Sequence, residues 1–268
     1  MNPTLTEWHN RFRQQAGWTA AVREYLFNRI PDYSNLKILE VGSGTGAVLG
    51  HFRDEIINSN PNNFTGMQSA NLVGVDINQE FLAFAKAHYP FVFYTLADGI
   101  TLPFNDNTFD LSYTHFFLMW LSEPVKVLKE IVRVTKPGCP VLSLAEPDYG
   151  GRIDYPDDFK PISKAQSNSL QMQGADPFFG RKLTAHLVKA GLVDIETGVL
   201  GGNWNRTELI KDFKIEWQFL ISDLQMVNSD LDLEAFRLKE EKYRQEGERV
   251  LFVPTFYASG KKPDRVAT

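Results

Sequence analysis

The sequence is poor in the residues that would most narrow its chemistry. It contains one cysteine, Cys139, which excludes a disulfide framework and a cysteine-rich metal site. Beside Pro140, at the entrance of an expected strand, that thiol reads as a buried bystander. The five histidines, His9, His51, His88, His115 and His186, show no paired metal-ligand spacing, so no metal is expected. Basic residues are outnumbered, 28 Lys and Arg against 33 Asp and Glu, for a net charge of −5, and they form no run. That argues against nucleic acid as a partner. Near the N-terminus Glu7, Arg11, Arg13, Arg23 and Glu24 give neither a signal-peptide pattern nor a membrane span. There is no internal repeat and no low-complexity segment. A soluble, cytoplasmic protein is expected.

What is present suffices for a large core. At 268 residues and 43% hydrophobic, the chain allows one large domain, or one domain with a cap. Its organising stretch is Ile38–Gly46, I-L-E-V-G-S-G-T-G. Ile38, Leu39 and Val41 suit a buried strand, while Gly42, Gly44 and Gly46 suit a tight turn that a ligand can approach closely. Val48, Leu49, Phe52 and Ile56 then recur at helical spacing. A strand, a glycine-rich turn and a helix start together form a nucleotide cradle.

The pattern then repeats. Two short helices, separated at Gly17, are expected over residues 5–30, with Trp8, Phe12 and Gln15 on one face. Residues 58–71 read as a surface loop. Strands are expected at Leu72–Ile77, Phe91–Ala97, Phe109–His115 and Pro140–Ala145, with helices between them, one of them capped by Ser122 with Pro124 in its first turn. Later come helical stretches around 157–173 and 183–190, a strand at Ile195–Leu200, helices across 209–224 and 231–245, and a final strand at Val250–Ala258. Strands alternating with helices indicate a mostly parallel sheet that binds its ligand beyond the strands' carboxyl ends. Glu40, Asp76, Asp98, His115 and Glu146 all fall at or just after such ends.

The glycines also fit a loose dinucleotide pattern, G-x-G-x-x-A over Gly42–Ala47, so an NAD-dependent dehydrogenase is one alternative. Glu40, two residues before the first glycine, is an unfavourable neighbour for a pyrophosphate and a favourable one for a cation. Asp76 could accept from ribose hydroxyls, and Asp98 lies within reach of an adenine edge. An adenine, a ribose and a positive charge without phosphate describe S-adenosylmethionine.

Four segments carry a family resemblance: I-L-E-V-G-S-G-T-G (38–46), G-V-D-I-N (74–78), A-D-G-I-T-L-P-F-N-D-N-T-F-D (97–110) and V-L-K-E-I-V-R-V-T-K-P-G (127–138). In this order the chain resembles the class I S-adenosylmethionine-dependent methyltransferases of small-molecule type, akin to those of ubiquinone and menaquinone biosynthesis. The resemblance implies an α/β, Rossmann-like, seven-stranded, mostly parallel sheet with helices on both faces and the last strand antiparallel. It places the methionine and ribose on Gly42, Ser43, Gly44 and Gly46, the ribose hydroxyls on Asp76 beside Ile77, and the adenine amino group on Asp98 beside Gly99 and Ile100. His115 would lie near the methyl group. The expected division is a helical lid over 1–34, a binding domain over 35–200 and 249–268, and a helical insert over 201–248 that contributes to the acceptor site. The family's glycine after K-P-G is replaced by Cys139, and the insert puts the substrate assignment in doubt.

On the acceptor side, His115, Glu146 and Asp148 are candidates to deprotonate or orient an acceptor, each with a structural alternative as a strand-end or loop group. Trp18, Tyr25 and Trp204 could close over cofactor or acceptor, or serve as core. Tyr149 could hold the acceptor, and Arg152 and Arg181 an anionic one, although a solvated or ion-paired role suits surface arginines better. Asp106 and Asp110 read as turn formers. A small organic acceptor methylated at O, N or C is expected, with S-adenosylhomocysteine as product. The alternative is a protein that binds S-adenosylmethionine or S-adenosylhomocysteine without transferring methyl groups, or that uses the former for other chemistry. Monomer and homodimer both stay open.

Overall fold

Apolar runs too short for helices and bounded by glycine or charge become the buried centre of a sheet. A computed structural model describes residues 3–27, 29, 36–50, 72–199, 206–225 and 231–264. Strands β1 (Ile38–Val41), β2 (Leu72–Asp76), β3 (Phe93–Leu96), β4 (Leu111–Thr114) and β5 (Pro140–Pro147) run parallel. The seven-stranded sheet is completed by β7 (Val193–Val199) and β9 (Thr255–Lys261), β9 lying antiparallel between β5 and β7. Strand order is β3-β2-β1-β4-β5-β9-β7. The order reverses between β1 and β4, and a crevice opens at that switch point beyond the carboxyl ends. The glycine turn follows β1 and His115 follows β4, so both sit at its mouth.

Helices cover both faces. On one, α4 (Pro124–Val134) buries Val127, Leu128, Ile131 and Val134 against Leu39, Val41 and Phe109. Its opposite face is charged, giving the narrow apolar stripe of a helix laid on a sheet. On the other, α2 (Ala20–Phe27) brings Val22, Leu26 and Phe27 onto Ile38, Leu111 and Leu144, beside the helical turn begun at 47–50. α3 (Gln79–His88) starts at Asn78, whose side chain accepts from the Glu80 and Phe81 N–H groups at 3.0 and 3.1 Å. The remaining helices are α1 (Leu5–Trp18), α5 (Lys160–Met172), α6 (Leu183–Lys189), α7 (Arg206–Leu224) and α8 (Leu233–Glu246).

Several boundaries differ from the sequence expectation. The final strand breaks at Val253-Pro254, because proline cannot donate to a ladder. Its first part, β8 (Val250–Phe252), leaves the main sheet to pair with β6 (Ile153–Tyr155), a strand that three residues of mixed polarity did not announce. The N-terminal helices part at Thr19 rather than Gly17, and α4 starts from Glu123 with no side-chain cap instead of from Ser122. Asp106 and Asp110, expected in turns, also form ion pairs with Arg133 and Lys136, each at 2.6 Å. No helix of the described residues is long and apolar enough to cross a membrane.

Candidate active site

The glycine turn leaves β1 with Gly42, Gly44 and Gly46 at φ of 78°, 51° and 76°. These are left-handed conformations that a side chain disfavours. A Cβ on Gly42 would also stand 2.3 Å from the Phe117 ring. The turn is braced from both sides. Asp76, at the end of β2, accepts from the Gly44 N–H at 2.7 Å and the Asn78 N–H at 2.8 Å. From above, α1 places His9 Nδ1 2.8 Å from Thr45 Oγ1.

A cleft of about 380 Å³ opens over this turn. Glu40, Gly42, Ser43, Gly44 and Asp76 form its floor, His115 and Phe116 one side, and Trp8, Phe12, Phe81 and Phe219 an aromatic roof. Trp8 meets Phe219 edge-on at 4.7 Å and Phe12 at 5.5 Å, which ties α1 to α7 over the opening. A second chamber of about 280 Å³ adjoins it. The two share Arg11, Phe116, Pro147, Tyr149 and Gln166 as common wall.

The floor is acidic. Glu40 is fully enclosed and takes a 3.4 Å hydrogen bond from Tyr113. Burial pushes its carboxyl well above the ordinary carboxylate range, and Asp76 is raised for the same reason. A cation in the cleft would relieve both. Ser43 Oγ is buried beside Gly74 without a hydrogen-bond partner among the described residues. The left-handed glycines and the two carboxylates fit a cationic adenosyl ligand.

His115 is buried and lines the cleft. Its Nε2 lies 2.9 Å from Thr19 Oγ1. That hydroxyl also receives Arg23 Nη1 at 2.6 Å and donates to the Ala16 carbonyl at 3.1 Å. A hydroxyl has one proton and two lone pairs, so Nε2 carries the imidazole proton and Nδ1 the free lone pair. Burial, and secondarily the Arg23 charge, holds His115 well below its usual range, keeping it neutral. Neither Thr19 nor Arg23 stood out in the sequence; only their approach to His115 from α2 and its leading turn marks them.

The structure separates the remaining candidates. Glu146 is fully buried, and its carboxylate accepts from the Phe117, Leu118 and Met119 N–H groups at 3.2, 2.8 and 3.1 Å. It therefore holds the loop after β4, where Phe116 takes a φ of 49°, instead of facing the cleft. Asp148 is consumed by Arg181, whose Nε and Nη2 both reach its carboxylate, the latter at 2.7 Å. Tyr149 lines both chambers, while Trp18 and Arg152 line the second one only. Gly46 belongs to the turn without lining the cleft. Exposed Ile77, Asp98 and Ile100, with Gly99, stand on the same rim outside the cleft lining, and Asp98 Oδ1 accepts from the Ile100 N–H at 3.0 Å. Tyr25 turns away to a surface cluster with Glu196 and Arg29. Trp204 lies outside the described residues. Among those residues no group of three or more His, Cys, Asp or Glu is placed to hold a metal.

The Glu146 clamp predicts a pH effect. Burial raises its carboxyl from 4.5 to about 7 in the folded chain, against the pull of its three N–H donors. Between those values the folded state holds a proton that the unfolded state has lost, so this group makes stability fall as pH rises through the window. Glu146→Gln removes the titration and is expected to flatten that fall, at most ~3 kcal/mol, in denaturant unfolding at about pH 5, 6 and 7. An unchanged slope would assign the effect to another group.

Comparison with known proteins agrees with this geometry. Residues 39–142 match the family described as "Methyltransferase domain". An uncharacterized methyltransferase of Schizosaccharomyces pombe is 30% identical over 169 residues, 59% of this chain and 56% of that protein. A demethylmenaquinone methyltransferase of Renibacterium salmoninarum is 29% identical over 136 residues, 50% of this chain and 52% of that protein. The chain thus spans about half the length of these curated relatives. The solved structure of phosphoethanolamine N-methyltransferase 2 from Haemonchus contortus, in complex with phosphomonomethylethanolamine and S-adenosylhomocysteine, superposes with a TM-score of 0.56 at 18% identity. The match covers 92% of this chain and 53% of that one. A methyltransferase-domain match over residues 39–142 thus coincides with the glycine turn at the switch point of the seven-stranded sheet.

Proposed function

We propose that this protein transfers the methyl group of S-adenosylmethionine to a small organic acceptor seated in the second chamber. The observation that carries this is the common wall: the acidic, glycine-floored cleft adjoins an aromatic chamber across Phe116 and Tyr149. When bound, the cofactor supplies an electrophilic methyl on a cationic sulfur. The chain's own contribution is alignment and exclusion of water. Gly42–Gly44, Glu40 and Asp76 hold the donor, and Asp98 with Ile100 on the rim takes the adenine end. The aromatic roof shuts out solvent, and His115 accepts a proton where the acceptor must lose one. Residues 1–34 serve as lid and 201–248 as cap. A net charge of −5 suits a small acceptor better than nucleic acid, and the expected location is cytoplasmic.

Calorimetry with S-adenosylmethionine, S-adenosylhomocysteine and NADH, followed by incubation with methyl-labelled cofactor and a panel of metabolites, tests this directly. Micromolar binding of both adenosyl ligands, no NADH binding and label in an organic product are expected. NADH binding alone would overturn the assignment. Tight cofactor binding with no label transferred to any acceptor would favour a binding protein.

A further inference from the structure

The second chamber is lined and backed by charges in unusual number, and all of them but Arg11 join one network of ion pairs. Arg152 gives Nε and Nη2 to Asp154 at 2.7 and 3.0 Å and Nη1 to Gln166 at 2.6 Å, so every nitrogen of its guanidinium is engaged. On the facing helix, Arg244 binds Glu240 at 2.7 Å and Glu216 at 2.5 Å. Arg249 closes the chain between the two halves, 2.6 Å from Asp154 and 3.3 Å from Glu240. Three cations and three anions thus alternate through β6, α7, α8 and the start of β8, and all but Glu216 have side chains at most 4% exposed.

Within this network no charge is left over, and the remaining cation of the lining, Arg11, gives Nη1 to Gln14 at 2.6 Å, covers the Trp18 ring at 4.8 Å and acts on the Asp223 carboxyl. An anion would have to displace a carboxylate from an arginine, and a cation would have to displace an arginine from a carboxylate. Either exchange strands a buried ion, which costs more than the new contact returns. Beside Tyr149, Gln166 and Thr255, most of the remaining lining is apolar, with Trp18, Phe116, Trp217 and Phe252 offering flat faces. The arginines expected from the sequence to bind an anionic acceptor are therefore already neutralised, Arg152 by Asp154 and Arg181 by Asp148.

We infer that the second chamber selects an uncharged, ring-bearing acceptor and rejects carboxylate and ammonium analogues of the same size. This rests on the chamber being the acceptor site of the proposed methyl transfer, and it names the acceptor's class.

Three probes of matched shape test it: 2-naphthol, 2-naphthoate and 2-naphthylmethylamine, titrated calorimetrically at neutral pH into protein saturated with S-adenosylhomocysteine. Naphthol is expected to bind at least ~10-fold more tightly than either charged probe, a gap of the order that one lost charge pairing imposes. Glu216→Gln leaves Arg244 with one carboxylate fewer, and should move the naphthoate-to-naphthol ratio toward naphthoate by ~10-fold. A thermal melt close to wild type shows that the variant folds, and if it does not, the wild-type ranking alone decides. Equal or tighter binding of a charged probe to wild type overturns the inference. So does failure of all three to bind at millimolar concentration, or an unmoved ratio in the folded variant. If S-adenosylhomocysteine itself does not bind, the methyltransferase proposal fails separately, and the same three titrations on the unloaded protein still rank the probes.

Discussion

Replacing Asp76 by alanine is expected to weaken S-adenosylmethionine binding by ~10²-fold or more, with the fold retained. Two losses combine. A carboxylate facing a diol makes charge-assisted hydrogen bonds of roughly 1.5–3 kcal/mol each, and alanine makes none. Asp76 also braces the cradle, because its Oδ2 takes the Gly44 N–H at 2.7 Å. Without it the turn loses the one side chain that pins Gly44 at a left-handed φ of 51°. Asp76→Asn keeps a bracing oxygen and removes the charge, so it should fall between wild type and alanine. The measurement is calorimetric affinity for S-adenosylmethionine and S-adenosylhomocysteine, with a thermal melt as control. Since both ligands carry the diol, both should weaken together. Unchanged affinity in a folded Asp76→Ala protein would remove this residue from the cofactor site.

Direction matters in the pH dependence of the same site. Burial raises the carboxyls of Glu40 and Asp76, so each holds its proton to a higher pH than an ordinary carboxylate. A cationic ligand favours the ionised forms, so its binding is opposed wherever they are protonated. Binding therefore strengthens as pH rises.

The sheet and its floor were legible in the sequence because they rest on local pattern. The run Ile38–Val41 is wholly buried, and a strand meeting glycines at alternate positions leaves few conformations besides a turn. Asp76 and Glu40 were legible too, since both fall at or beside the carboxyl end of a strand, where a parallel sheet opens its cleft. What escaped depends on contacts between distant residues. Glu146 resembled a rim acid by its place at the end of β5, yet the loop after β4 folds back and spends the carboxylate on three backbone N–H groups. Arg181 and Asp148 are 33 residues apart and neutralise one another, which no spacing reveals. The β6–β8 ribbon pairs residues nearly a hundred positions apart. Thr19 carries no signal in the sequence, and its role exists only because the junction of α1 and α2 brings it to His115.

That last contact sets the expectation for His115 itself. With Thr19 Oγ1 accepting from Nε2, the imidazole presents Nδ1 as its acceptor, and this nitrogen has no hydrogen-bond partner among the described residues. A hydroxyl-bearing acceptor would place its proton there as the methyl group arrives. His115→Ala is therefore expected to lower kcat by ~10²-fold or more, the range for loss of a positioned proton acceptor, while S-adenosylmethionine affinity falls much less. Thr19→Val keeps the imidazole but frees its tautomer and ring orientation, and should cost a smaller part of kcat. The pH profile separates this from an ordinary histidine base. Burial and Arg23 hold the ring neutral well below its usual range, so no acid limb attributable to His115 should appear near 6.5, where a solvated imidazole titrates. In Thr19→Val the Arg23 charge remains nearby, so that absence should persist while kcat drops. An acid limb near that value in wild type, lost in His115→Ala, would mean a solvated base. Alanine kcat within a few-fold of wild type would reduce His115 to part of the wall.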